Sequence, residues 1–220
     1  MESRLSDFFN YALLCEAMLE CIPQLCLQLY IMVSTSEEVS VLKVTSIGTS
    51  LLAAAKALTT WWDKTTDSGL PLVLLFTAWK FVELSVRVLV LGLFAAVFKA
   101  WIVLPIGVHW LIIALAYTWV DPKFRSCVWM ITFGVLMSTE TFTIMAFSLV
   151  NPVRFWVNIL LTLLGNMTMV TVWYTQKAGE DWYDTPALVG IVAGSVVSAA
   201  CAVGFKYRND FYDVGEEMYC

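Results

Sequence analysis

Long apolar runs alternate with short polar breaks along the chain. Seven runs can be drawn, at 8–33, 39–62, 70–98, 101–120, 126–150, 155–174 and 186–205. The breaks carry turn and charge signals: Ser34-Thr35-Ser36-Glu37-Glu38, the polar stretch 63–69, Asp121-Pro122-Lys123, Asn151-Pro152 and the hydrophilic loop 175–185. A polar, acidic tail, 206–220, follows the last run. Most runs reach the ~20 residues that a helix needs to cross a bilayer. They are too continuously apolar for barrel strands, which alternate polar and apolar. In hydrocarbon the backbone must satisfy its own hydrogen bonds, so the runs are helices. Many end in Trp or Tyr, such as Trp61, Trp62, Trp101, Trp119, Trp173 and Tyr174, as interfacial anchoring predicts. The expected fold is therefore all-α, a multi-span helical bundle with about seven membrane-inserted helices. Its membrane domain is 1–205, followed by the 206–220 tail. Pro23 and Pro105 interrupt the first and fourth runs, so some helices are expected to dip in without crossing.

Composition agrees. The 220 residues are 60% hydrophobic and 14% charged, with mean hydropathy +0.76. Soluble domains run about 45–50% apolar and about 25% charged. A soluble enzyme, a disordered chain and a nucleic-acid binder are all disfavoured, the last also by the formal charge of -5. Charge does not orient the chain. Seven crossings put Arg4, Lys64, Lys123, Arg125 and Lys177 on one side and Lys99, Arg154, Lys206 and Arg208 on the other.

The charges inside the runs carry the chemical signal. Glu16, Glu20, Lys43, Lys56, Lys80, Glu83, Arg87 and Glu140 all fall at bilayer depth. Each costs about 2.5–3.5 kcal/mol there on insertion scales. Glu16, Glu20, Gln24 and Gln28 recur every four residues and form a slowly winding polar stripe, with Pro23 within it. Lys80, Glu83 and Arg87 share one helix face with alternating signs, so Glu83 can bridge both cations. Each pattern has two readings: a polar path or ion site, or a seam that holds helices together. Glu140, Asn158 and Asn166 are read as cross-helix hydrogen-bonding groups. His109, the single histidine, is read as a core residue. Gly190, Gly194 and Ser198 form a small-residue stripe that allows close helix approach. The six cysteines have no CxxC spacing and are read as small apolar side chains. No HExxH, Walker, GxGxxG or GxSxG motif occurs, so no catalytic residues, metal or cofactor are expected.

Glu20-Cys21-Ile22-Pro23-Gln24-Leu25-Cys26-Leu27-Gln28-Leu29-Tyr30-Ile31 resembles the E-x-x-P-Q-L-x-L-Q-L-Y-I signature of XK-related proteins. Further matches follow in that family's order: Ser50-Leu51-Leu52 through Ala57-Leu58, Arg87-Val88-Leu89 with Leu93-Phe94-Ala95, His109-Trp110, and Asn166 with Trp173. The resemblance covers most of the chain. Family members are generally longer and carry several membrane segments before the signature, so this chain is expected to be the C-terminal part. The resemblance implies a helical fold of two related halves, some helices crossing only part of the bilayer. It implies phospholipid scrambling, including phosphatidylserine exposure in apoptotic signalling, at the plasma membrane. The implied partners are membrane phospholipids and a single-span membrane protein or a second copy, with no nucleic acid. Glu16, Glu20, Gln24, Gln28, Lys80, Glu83, Arg87 and Glu140 are the lipid-path or charge-belt candidates. In the tail, Asp210-Phe211-Tyr212-Asp213 has the Asp-x-x-Asp spacing of a caspase site. An ion channel or secondary transporter using the same charges, and a non-transporting scaffold, are the alternatives.

Overall fold

The computed structural model describes residues 22–34, 40–66, 69–120, 152–177, 179 and 181–217. Those residues form α1 (Ile22–Ser34), α2 (Val41–Thr66), α3 (Leu70–Phe98), a 3-10 turn (Lys99–Ile102), α4 (Val103–Val120), α5 (Pro152–Gln176) and α6 (Asp184–Glu217). No strand occurs among the described residues.

Sequence features explain where these helices start. α2 follows Ser40, whose Oγ accepts the Lys43 N–H at 3.3 Å. α3 carries Pro71 in its first turn, where a missing N–H costs nothing. α5 opens on Pro152 for the same reason. Pro23 lies within α1, whose described part begins at Ile22. Within α2, the hydroxyls of Thr45, Thr59 and Thr60 donate to the carbonyl four residues back. Polar side chains are thereby satisfied within their own helix, as a lipid environment demands.

α3 is the centre of the bundle. It packs against α1, α2, α5 and α6, and its residues from Glu83 to Phe94 are buried on nearly every side. Such all-round burial marks an interior helix. Two closely packed contacts set the spacing of its neighbours. A Cβ on Gly92 would lie 2.6 Å from Leu29 Cδ2, so α1 sits directly on α3 at that glycine. A Cβ on Gly194 would lie 2.5 Å from Val86 Cγ2, which fixes the approach of α6. Gly194 thus fulfils its place in the small-residue stripe. Gly190 differs, with no described atom within 4 Å of its Cβ position.

An aromatic knot joins α2, α3 and α6. Trp62 stacks on Phe76 at 4.6 Å and meets Phe205 edge-on at 5.1 Å, and Phe76 meets Trp79 at 5.4 Å. Such pairs contribute about 0.5–1.5 kcal/mol each beyond area burial. A second apolar cluster, around Val90, Leu91, Phe94, Met169, Trp173 and Ile191, joins α3, α5 and α6 farther along α3.

At Lys99 the chain turns back. Lys99 has φ 52°, a left-handed conformation unusual for a residue with a Cβ, and its N–H donates to the Ala95 carbonyl. The reversal is seen at Gly165 on α5. A Cβ there would lie 3.7 Å from Arg87 Nη1 and 3.9 Å from His109 Nδ1. In one straight helix, residues 87 and 109 would be roughly 33 Å apart. Instead both reach one point, so α3 and α4 diverge from the turn at 99–102 and α5 meets both.

The expectation of about seven inserted helices is not confirmed. The described residues hold four helices long and apolar enough to cross a membrane, Val41–Asp63, Leu70–His109, Phe155–Gln176 and Asp184–Arg208, and the shorter apolar helix Ile22–Ser34. The third and fourth apolar runs are joined directly by the 3-10 turn Lys99–Ile102, with no non-helical residue between them. The run 126–150 and the first part of the run 8–33 lie outside the described residues. α6 continues through 206–217 as helix.

Candidate buried charge belt

α3 places Lys80, Glu83 and Arg87 on one side, between the aromatic knot and the second apolar cluster. All three are buried. Lys80 Nζ donates to Glu83 Oε2 at 2.8 Å. The ammonium also lies 3.9 Å from the centre of the Trp79 ring and 5.3 Å from that of Phe76. Ring faces are electron-rich, so they replace part of the lost hydration. A buried pair of this kind roughly offsets its own desolvation, whereas removing one partner costs about 3–5 kcal/mol.

One turn farther on, Arg87 Nη1 donates to Asn166 Oδ1 on α5 at 2.8 Å. The sequence reading of Asn166 as a cross-helix hydrogen-bonding group matches this contact. The three charges therefore differ in kind. Lys80 and Glu83 pair within α3, while Arg87 ties α3 to α5.

Two cavities adjoin the belt. One, of about 20 Å³, is lined by Glu83, Thr162, Asn166, Ser195 and Ser198 among others. That volume is enough for about one water. Ser195 Oγ is buried there and has no protein hydrogen-bond partner among the described residues. The other, of about 240 Å³, lies between α3, α4 and α5, with Arg87, His109 and Gly165 in its wall. Linear reasoning assigned His109 to the core, and it is buried, but beside Arg87 rather than in a purely apolar setting. No sequence signal linked residues 87, 109 and 165. The reversal at Lys99 does so.

The remaining candidates lie elsewhere. Gln24 and Gln28 are exposed on α1. Gln28 and Lys43 border a groove of about 320 Å³ between α1 and α2. Lys56 is exposed on α2. Glu16, Glu20 and Glu140 fall outside the described residues, so the full stripe is not seen. Asp210 and Asp213 lie on the last turns of α6. Cys26 and Cys201 are free and half-buried against the apolar core. No group of three or more His, Cys, Asp or Glu fit to hold a metal occurs among the described residues.

A second polar knot closes the α5–α6 loop. Lys177 pairs with Asp184, which also accepts the Asp181 N–H at 2.7 Å. The Tyr183 hydroxyl donates to Asp181 Oδ2 at 3.0 Å. Burial first, then the bond to Asp181 and its negative charge, pushes the phenol up to about 12.

No solved structure matches the chain. The family model described as XK-related protein matches residues 4–207. That match spans all seven apolar runs and the whole buried belt. The chain is a membrane protein that belongs to the XK-related family.

Proposed function

We propose that this protein supports energy-independent exchange of phospholipids between leaflets, with phosphatidylserine among its substrates. The observation that carries the reading is the belt of Lys80, Glu83 and Arg87, with Asn166, buried within apolar helices. Charges at this depth are costly, and their usual role is functional. A headgroup entering bare hydrocarbon loses its hydration and meets a large barrier. Two cations and one carboxylate in alternation complement a headgroup that carries both a phosphate and an amine. The gradient supplies direction.

Because the belt is buried, exchange requires the α3–α5 seam to part. The ion pair Lys80–Glu83 lies within α3 and travels intact. Across the seam, the Arg87–Asn166 bond must break. A hydrogen bond to a charged group contributes about 1.5–3 kcal/mol. It is one part of the cost of opening, beside the packing of Met169, Val170 and Trp173 in the apolar cluster that α5 shares with α3.

The plasma membrane is the proposed location, phospholipids the proposed ligands, and a single-span protein or a second copy the proposed protein partner. No catalytic chemistry is proposed. Reconstitution in liposomes with labelled phospholipid in one leaflet tests the reading. Leaflet exchange without ion flux supports it. Ion flux instead points to a channel or transporter, and neither activity to a scaffold.

A further inference from the structure

We propose that the small cavity where α3, α5 and α6 meet is a binding site for one structural water, which joins the Ser195 hydroxyl to the Glu83 carboxylate and so ties the last helix to the charge belt. The site goes beyond the lipid-exchange reading and does not rest on it.

Hydroxyls on α2 and α3 follow one pattern. Those of Thr59, Thr60, Thr77 and Ser85 each donate to the carbonyl four residues back in their own helix. Ser195 on α6 departs from it, although Ile191 stands four residues back. It is 2% exposed, and its Oγ has no hydrogen-bond partner among the described residues. A buried hydroxyl is costly unless a protein group or a water answers it.

Packing explains the position. A Cβ on Gly194 would lie 2.5 Å from Val86 Cγ2, so the α6 backbone rests directly on α3 there. The next residue, Ser195, therefore stands at the seam. Its neighbours in the cavity wall are small or polar: Ser198 and Ala199 on α6, Thr162 and Asn166 on α5, and Glu83 on α3. They leave about 20 Å³. A water needs about 10–15 Å³ and two to four polar partners, and this cavity offers both.

Charge makes the ligand neutral. Glu83 is the one carboxylate in the wall and repels an anion. It already holds Lys80 at 2.8 Å, and Arg87 lies one turn away, so an added cation meets two positive charges. A carboxylate has about four acceptor positions, so a bond from Lys80 and one from a water are compatible. The water accepts from Ser195 Oγ and donates to Glu83, which leaves its second hydrogen for an oxygen on α5.

The test uses the full chain in non-ionic detergent and sodium chloride. An experimental map fine enough to show other buried waters is expected to show one peak within hydrogen-bonding distance of Ser195 Oγ and Glu83. An empty cavity in such a map overturns the inference, as does a side chain filling it. Thermal unfolding gives an independent sign. Ser195→Ala is expected to lower the midpoint by about 2–4 °C relative to Ser46→Ala, which sits exposed on α2 and reads helix propensity alone. A dry hydroxyl would behave oppositely, because its removal relieves an unmet bond. A relative midpoint that is unchanged or raised therefore overturns the inference. Replacing sodium chloride with choline chloride is expected to leave the wild-type midpoint unchanged. A fall of several degrees would mark a sodium site and overturn the assignment to water.

Discussion

Arg87 and Asn166 stand 79 positions apart in the chain and share a 2.8 Å hydrogen bond in the interior of the bundle. The bond joins a charge on the central helix to a neutral amide on α5. It marks the seam at which lipid exchange would require the bundle to open. Its two sides are unequal. Loss of the amide takes an acceptor from a buried charge, whereas loss of the charge takes a donor from a neutral amide.

Asn166→Leu is therefore expected to destabilise the protein by about 2–4 kcal/mol, since a hydrogen bond to a charged group is lost and the guanidinium stays buried. Asn166→Asp places a carboxylate against the cation and is expected to raise the thermal midpoint while slowing exchange, because the seam becomes harder to part. Thermal unfolding and liposome exchange measured on both variants separate the two effects. A faster exchange rate in Asn166→Asp would contradict the seam mechanism.

Lys80 and Glu83 lie on one helix at 2.8 Å, so they form a coupled pair. Lys80→Met alone leaves the Glu83 carboxylate buried and is expected to cost about 3–5 kcal/mol. Lys80→Met with Glu83→Leu removes both charges and is expected to cost less stability than Lys80→Met alone. Exchange by the double variant is expected to drop sharply. A stable double variant that exchanges lipid at the original rate would remove the pair from the path.

Gly194 and Gly190 are expected to respond differently, although they share one stripe. Gly194→Val drives a side chain into Val86 and is expected to cost about 1–3 kcal/mol or push α6 away. Gly190→Ala meets no described atom and is expected to stabilise slightly, by up to about 1 kcal/mol, through helix propensity. Melting curves of the two variants check the contrast.

Tyr183 supplies a pH dependence at the α5–α6 loop. Its phenol ionises near 12 in the folded protein, held neutral by burial and Asp181, against an ordinary 10. Below pH 10 the phenol is neutral in both states. Between 10 and 12 only the unfolded chain ionises, so stability falls as pH rises through that window. Tyr183→Phe is expected to remove this fall. An absorbance titration at the tyrosinate band, compared between wild type and variant, would show the missing late step.

How much of this was legible in the sequence depends on distance along the chain. Helices and their order follow from local patterns, since an apolar run with Trp or Tyr at its ends satisfies its own backbone wherever it lies. The pairing of Lys80 with Glu83 was legible for the same reason, because i and i+3 are neighbours on any helix. The four-residue stripe from Glu16 to Gln28 was equally legible as a pattern, yet its described members, Gln24 and Gln28, are exposed rather than buried. Periodicity names a face and not what covers it.

The sequence by itself thus determined a helical membrane protein, the family signature, and an alternating charge triad on one helix. Tertiary structure alone decided what that triad meets. The turn at Lys99 brings His109 back toward Arg87, and α5 delivers Asn166 and Gly165 to the same place. Neither event has a local pattern. Chain reversal depends on a left-handed residue that is not glycine, and the arrival of α5 depends on the packing of Met169, Val170 and Trp173 against α3. In lipid, helices associate through close packing and buried polar contacts rather than through escape from water. Which polar groups end up together is therefore settled by shape, after the helices have formed.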